Sequence, residues 1–278
     1  LFAKVAVAEI PPFVLVFLRV SSACAVLLVV LWYQQLLGKF TLNLVVPFLI
    51  MGFLNNAVPF SLLFLGQTEI GAGLASILNG TTPVFTVIVA SILTRQEDLR
   101  LNRIAGVVLG VAGVAIMLSS SLSGVASDPI WAQVCCLSAA VSYACAATYA
   151  HRFKSVQPQI AATGQLMGSS LLMLPVALFS ANGWSIADPS QIAWLNVLAL
   201  GVLATALAYL IYFKLLAEAG ATNASLVTLI VPASALLFGW MILGEKLSAL
   251  QLAGFAVLLL GLVVLDGRIL QRFGVRTA

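Results

Sequence analysis

The chain has 278 residues, of which 62% are hydrophobic and 8% charged, far from the balance of a soluble domain, where about half the residues are apolar and about a quarter charged. That composition excludes a soluble enzyme and a disordered tail and leaves a membrane protein. The net charge is +4, but the basic residues are dispersed at the ends of apolar runs instead of gathered on one face, so nucleic acid is not an expected partner. Cys24, Cys135, Cys136 and Cys145 lie inside apolar runs without CxxC spacing, and there is one histidine, so no disulfide framework, metal site or cofactor is expected.

About 20 apolar residues cross a hydrocarbon core roughly 30 Å thick. Leu1 to Ala8 is too short for that and ends at Glu9-Ile10-Pro11-Pro12, which reads as the exit of a first helix truncated in this chain. No basic region, apolar core and small-residue site follow one another there, so a cleaved signal peptide is not expected. Nine further spans are predicted at 13–34, 43–65, 71–94, 102–119, 130–150, 160–180, 193–215, 222–244 and 249–267. The longest connections, Ser119 to Pro129 and Ala181 to Ser190, are rich in Ser, Gly, Asn and Pro and read as surface loops.

With ten spans and both termini cytoplasmic, the inner side receives Lys39, Arg95, Arg100, Arg103, Arg152, Lys154, Lys214, Arg268, Arg272 and Arg276, and the outer side only Lys246. The positive-inside rule requires that bias in a multi-pass cell (inner) membrane protein. Glu9, Glu69, Asp128, Asp188 and Glu245 then lie outside.

Residues 52 to 113 are written again at 201 to 261. Gly52, Glu69, Gly71, Ala75-Ser76, Pro83, Glu97, Gly106 and Gly113 fall on Gly201, Glu218, Gly220, Ala224-Ser225, Pro232, Glu245, Gly254 and Gly261. A period near 150 residues is too long for a solenoid unit and indicates a duplicated bundle. The expected fold is an all-α integral membrane protein of ten transmembrane helices, built as two five-helix repeats at 1–125 and 126–278 that together form one transport domain. Five is odd, so the second repeat enters from the opposite face, and inverted repeats generate alternating access.

Polar groups at mid-depth in a span are costly and therefore candidates for a cavity. The third helix carries Asn55 and Asn56 at its centre, and the repeat places Ala204-Thr205 there in the eighth. Asn56 reads either as a substrate contact or as interhelical glue. Asn79, Thr81 and Thr82 precede Pro83 in the fourth helix; the threonines could instead bond the preceding turn. Thr228 and Ser225 approach Pro232 in the ninth helix, and the matched Pro83 and Pro232 are either hinges or static kinks. Thr205 and Tyr209 share one face of the eighth helix, with Tyr212 next along. Tyr143, with Ser138 and Ser142, is a further candidate in the sixth. Arg19 is the one arginine well inside a span and reads as a gate or helix-end residue, with carboxylate binding as the alternative. The Pro12 to Arg19 spacing repeats from Pro158 to Gln165, which makes Gln165 its counterpart. Gly106, Gly110 and Gly113, with Gly254 and Gly261, form small faces for close packing within the chain.

These motifs in this order resemble the drug/metabolite transporter superfamily, in its ten-helix EamA-type branch. The likeness rests on Pro11-Pro12-Phe13 with Arg19, on Ala75-Ser76 through Pro83 to Glu97, on Leu200 through Tyr209, and on Ala224-Ser225 through Pro232-Ala233 to Leu243-Gly244-Glu245-Lys246-Leu247 with Gly254 and Gly261. The chain departs from the family at the start of the first helix and at Arg95-Gln96-Glu97-Asp98, where the second copy reads Gly244-Glu245-Lys246. The resemblance implies export of small metabolites through a central cavity, with a small-molecule substrate and the lipid bilayer as partners. No carboxylate lies at mid-depth in a complete span, so a passive or weakly coupled carrier for neutral or zwitterionic solutes, above all amino acids, is expected. A multidrug or other metabolite exporter is the alternative, and a channel or receptor a more distant one. An enzyme is not expected, because no nucleophile-and-base set or carboxylate pair is present at depth. A monomer is expected, with a dimer as the alternative.

Overall fold

A computed structural model of the chain describes residues 1–93, 100–124, 127–212, 214–215 and 227–267. After the short α1 (Phe2–Ala6), the membrane-length helices are α2 (Pro12–Tyr33), α3 (Leu42–Glu69), α4 (Ala72–Ile92), α5 (Leu101–Leu122), α6 (Ile130–Phe153), α7 (Pro158–Ser180) and α8 (Gln191–Tyr212). They are followed by the shorter α9 (Val227–Leu243) and by α10 (Ala249–Asp266). Every predicted span is met by one of these helices, and no strand occurs among the described residues. Hydrocarbon offers no hydrogen bonds, so a spanning backbone must satisfy itself, and the helix does so.

Local signals set the helix ends. Pro12 opens α2 and Pro158 opens α7, where the missing amide hydrogen costs nothing because the first-turn donors have no intrahelical acceptor. Ser190 caps α8 by accepting from the Ala193 amide at 3.2 Å. Ser248 and Gln251 form a reciprocal capping box at α10. At the far end of α10, Gly267 takes φ +70°, a left-handed turn that a glycine adopts without strain.

The helices sort into two compact units, and each draws on both halves of the sequence. One comprises residues 1–68 and 149–227, the other residues 69–148 and 228–278. The first therefore holds α1, α2, nearly all of α3, α7 and α8. The second holds α4, α5, nearly all of α6, α9 and α10. The expected repeats at 1–125 and 126–278 divide the sequence, whereas these units divide the packing.

In the second unit, α5 and α10 touch along their glycines. A Cβ on Gly106 would lie 2.8 Å from the Gly261 carbonyl, and one on Gly113 would lie 2.7 Å from the Gly254 carbonyl. Gly106 is the repeat counterpart of Gly254, and Gly113 of Gly261, so each glycine meets the counterpart of the other. Two equivalent helices packed in that order run antiparallel, as inverted repeats require.

In the first unit the exchange is between different helices. A Cβ on Gly52 of α3 would lie 2.5 Å from the Gln165 carbonyl of α7, and one on Gly201 of α8 would overlap Ser22 Oγ and lie 3.2 Å from the Arg19 carbonyl of α2. Gly52 matches Gly201, and Arg19 matches Gln165. The same joint is thus made twice, each time between a helix of one half and a helix of the other.

Polar contacts tie the connections. Both oxygens of Glu9 accept from Ser190, from its amide at 2.6 Å and its hydroxyl at 2.8 Å. Those bonds, the amide first, hold the Glu9 carboxyl below the usual carboxylate range. The Trp184 indole donates to the Glu9 carbonyl at 3.1 Å. In the second unit, Glu245 accepts from the amides of Ala72 at 2.7 Å and Gly73 at 2.9 Å, placing a carboxylate on the positive end of α4. Gln251 donates to Asp128 at 2.7 Å. Each pair joins connections that alternation of ten spans assigns to one face.

Candidate functional site

In the first unit, α3 and α8 both leave regular α-geometry at repeat-related places. Phe53–Ala57 of α3 and Ala199–Leu207 of α8 are π-helical, and the first stretch maps onto residues 202–206 of the second. The two have different local causes. In α3, Pro59 lacks an amide hydrogen and its ring crowds the carbonyl four residues back, a conflict that one wider turn relieves. In α8, the Thr205 hydroxyl donates to the Leu200 carbonyl five residues back at 2.8 Å, satisfying an acceptor that the wider turn exposes.

The widened turns carry the polar side chains. Asn55 donates to Gln165 Oε1 of α7 at 2.8 Å and reaches the Tyr209 hydroxyl of α8 at 3.4 Å. Tyr209 in turn lies 3.5 Å from Asn56 Oδ1. Asn56 is fully buried, and its amide nitrogen has no hydrogen-bond partner among the described residues. On α2, Arg19 Nε donates to Thr205 Oγ1 at 3.0 Å, and its guanidinium carbon sits 3.7 Å above the Phe60 ring centre, a close cation–π contact.

These contacts form two clusters related by the repeat. Arg19 with Thr205 and Phe60 is matched by Gln165 with the Asn55–Asn56 pair and Tyr209, since Arg19 corresponds to Gln165, Thr205 to Asn56 and Phe60 to Tyr209. One cluster carries a charge and the other only amides and a phenol. Next to the charged one opens a cavity of about 260 Å³ lined by Arg19, Phe60, Ala204, Thr205, Ala208, Tyr209 and Tyr212, near the lower end of the size range of ligand pockets. Asn55 and Asn56 are not on its wall and reach it through Tyr209.

The remaining sequence candidates fall in the second unit. Thr82 donates to the Asn79 carbonyl at 2.7 Å and Thr81 to that of Leu78, so both hydroxyls serve the local turn, the alternative weighed for them. The side-chain oxygen of Asn79 is buried without a hydrogen-bond partner among the described residues. Tyr143 lies half-buried in α6. The two prolines differ in setting. Pro83 is the second residue of a helical segment that restarts at Thr82 after a break at Gly80-Thr81, whereas Pro232 lies inside α9. They are nonetheless neighbours, because a Cβ on Gly80 would lie 2.9 Å from the Pro232 ring. Ser225 and the side chain of Thr228 lie outside the described residues. Lys4 donates to the Gln67 carbonyl at 2.7 Å, satisfying one of the last carbonyls of α3.

Gln165 and Phe60 were not among the residues singled out for substrate contact. The signal for Gln165 was its correspondence to Arg19. Phe60 gave none beyond its correspondence to Tyr209. A larger pocket of about 530 Å³ is lined by Gly73, Leu236, Trp240, Glu245 and Lys246, among others. Its carboxylate is already committed to the two α4 amides, which marks that pocket as a packing joint.

Comparison with known proteins agrees with this geometry. The model of the EamA-like transporter family matches residues 1–119 and 130–265. The uncharacterized transporter YoaV of Bacillus subtilis is 24% identical over 261 residues, covering 93% of this chain and 88% of that protein. PagO of Salmonella typhimurium is 26% identical over 266 residues, covering 93% and 85%. A protein named as a probable amino-acid metabolite efflux pump, also from Salmonella typhimurium, is 28% identical over 201 residues, covering 69% and 67%. A solved crystal structure superposes with a TM-score of 0.64 at 18% identity, covering 97% of this chain and 92% of that one, and shows the same fold.

Proposed function

Since the chain belongs to the EamA-like transporter family and is a multi-pass membrane transporter, we propose that it exports small neutral or zwitterionic metabolites, amino acids foremost, by alternating access. The observation that carries this reading is the pair of repeat-related polar clusters on α2, α3, α7 and α8. They place amides, hydroxyls and one guanidinium inside spans where such groups are otherwise expensive. A zwitterion needs hydrogen-bond donors and acceptors and a limited set of charges, and the two clusters offer both. The name of one relative, an amino-acid metabolite efflux pump, points the same way.

Export of cationic drugs is the second reading, favoured by the aromatic rings of Phe60, Tyr209 and Tyr212 on the cavity wall. Arg19 on that wall opposes it, because a cation would meet a like charge. The deciding experiment is efflux from proteoliposomes preloaded with a mixture of labelled amino acids, with and without a proton gradient. Release of a subset independent of the gradient is expected. Retention of every amino acid by protein shown to be folded would refute the amino-acid reading.

A further inference from the structure

We infer that the cavity walled by α2, α3 and α8 is a carboxylate site, with Arg19 as its anchor and Tyr209 and Tyr212 as phenolic donors beside it. This rests on the exporter reading and names the group by which the substrate is held. A guanidinium inside a span is costly, and here the surroundings fix its orientation.

Thr205 is bonded on both sides. Its proton goes to the Leu200 carbonyl, so its oxygen is the acceptor for Arg19 Nε. With Nε directed into α8, the parallel Nη1 and Nη2 donors form the end-on edge of the fork, the geometry that takes both oxygens of a carboxylate. The Phe60 ring covers one face of the guanidinium plane at 3.7 Å. It turns the cation edge-on to a ligand and lowers the local dielectric, which strengthens a charge-assisted bond.

The rest of the wall suits the body of a small acid. Ala204 and Ala208 are one turn apart on α8 and add little bulk, and the two tyrosines contribute ring faces together with hydroxyls that donate. Among the residues lining the cavity, the single formal charge is the arginine, so the matching ligand carries one negative charge at that end.

The test uses purified full chain in detergent, titrated with benzoate and, separately, with benzamide, which has the same ring but no charge. Ligand-induced shifts in melting temperature are read against concentration. Benzoate is expected to bind about tenfold or more tightly than benzamide, the value of a charge-assisted bond. Arg19→Gln is expected to erase that preference, and Tyr212→Phe to weaken benzoate several-fold. Equal affinities in the wild type, a comparison that needs no variant, would overturn the proposal, as would a preference retained in folded Arg19→Gln. The result also separates the two readings. Benzoate preference without amino-acid efflux sinks the exporter reading and keeps the carboxylate site; efflux without that preference does the reverse.

Discussion

Replacing Gln165 by Leu removes the acceptor that Asn55 uses in the neutral cluster. The pair is bonded at 2.8 Å, and Gln165 is 5% exposed, so water has little access to repair the loss. A neutral hydrogen bond contributes about 0.5–1.5 kcal/mol net, near 0.6 kcal/mol on average between membrane helices. Asn55 would keep only the Tyr209 hydroxyl at 3.4 Å, beyond good hydrogen-bond range. A buried amide left poorly satisfied costs a further 1 kcal/mol or so, giving about 1.5–2.5 kcal/mol for the single variant. Asn55→Leu should cost a similar amount for the mirrored reason. The double variant strands neither group, so it should be less damaging than the two singles added together, with a coupling of about 1 kcal/mol. Equilibrium unfolding in mixed detergent and denaturant, run on all four proteins, measures that coupling. Strict additivity of the singles would refute the pairing.

Three further outcomes follow from the packing and the connections. Gly113→Ala drives a Cβ to 2.7 Å from the Gly254 carbonyl and the Leu258 amide, both backbone atoms that cannot rotate away. Overpacking of about 1–3 kcal/mol should outweigh the gain of about 1 kcal/mol from helix propensity. Gly38→Ala, where nothing lies within 4 Å, is the control, and thermal melting should separate the two. Glu245→Ala leaves the Ala72 and Gly73 amides without their carboxylate and should cost about 2–3 kcal/mol, with Glu245→Gln retaining roughly half, because an amide oxygen can serve only one of them. Unchanged melting of Glu245→Ala would show that solvent replaces the cap. Glu9 has a lowered carboxyl pKa in the folded protein. Its bonds to Ser190 therefore contribute fully above the unfolded carboxylate value of about 4.3 and are lost as pH falls through the lower folded one. The melting temperatures of wild type and Glu9→Gln should differ at neutral pH and converge in acid; a constant difference would refute the linkage.

Much of the fold could be read from the residues alone. Apolar runs longer than about 20 residues have one solution in a bilayer, and the spaced glycines, glutamates and prolines exposed the duplication without any contact information. Inversion followed from counting five helices, and the antiparallel meeting of Gly106 with Gly261 and Gly113 with Gly254 bears it out. The sorting of helices into two packed units could not be read that way. Hydropathy says which helices enter the membrane, but lipid and protein interior are equally apolar, so it does not say which helices touch.

The site was legible in part for a related reason. Polarity at mid-depth picked out Asn55, Asn56, Thr205 and Tyr209, which the structure gathers into one unit, and it also picked out Thr82, whose hydroxyl is used up by its own turn. A sequence shows that a hydroxyl is present, not whether the neighbouring backbone has an acceptor left over. The π turns are the clearest instance. Pro59 and Thr205 share no chemistry, yet each supports the same widening at the same repeat position, one by removing a donor and the other by supplying one.

That convergence bears on how the halves differ. In both clusters a widened turn presents polar groups to a residue on the partner half, and the geometry is kept while the chemistry is not: Arg19 stands where the other half has Gln165, and Phe60 where it has Tyr209. Two halves with the same shape can exchange conformations, which is what alternating access asks of inverted repeats. Halves with the same chemistry as well would hold a charged solute equally in both exchanged forms. Because the cation belongs to one cluster only, an acid bound there meets its counter-charge in one form and neutral amides in the other. A solute's affinity then differs between the two forms in proportion to its charge at that end, by about tenfold for each charge-assisted bond lost.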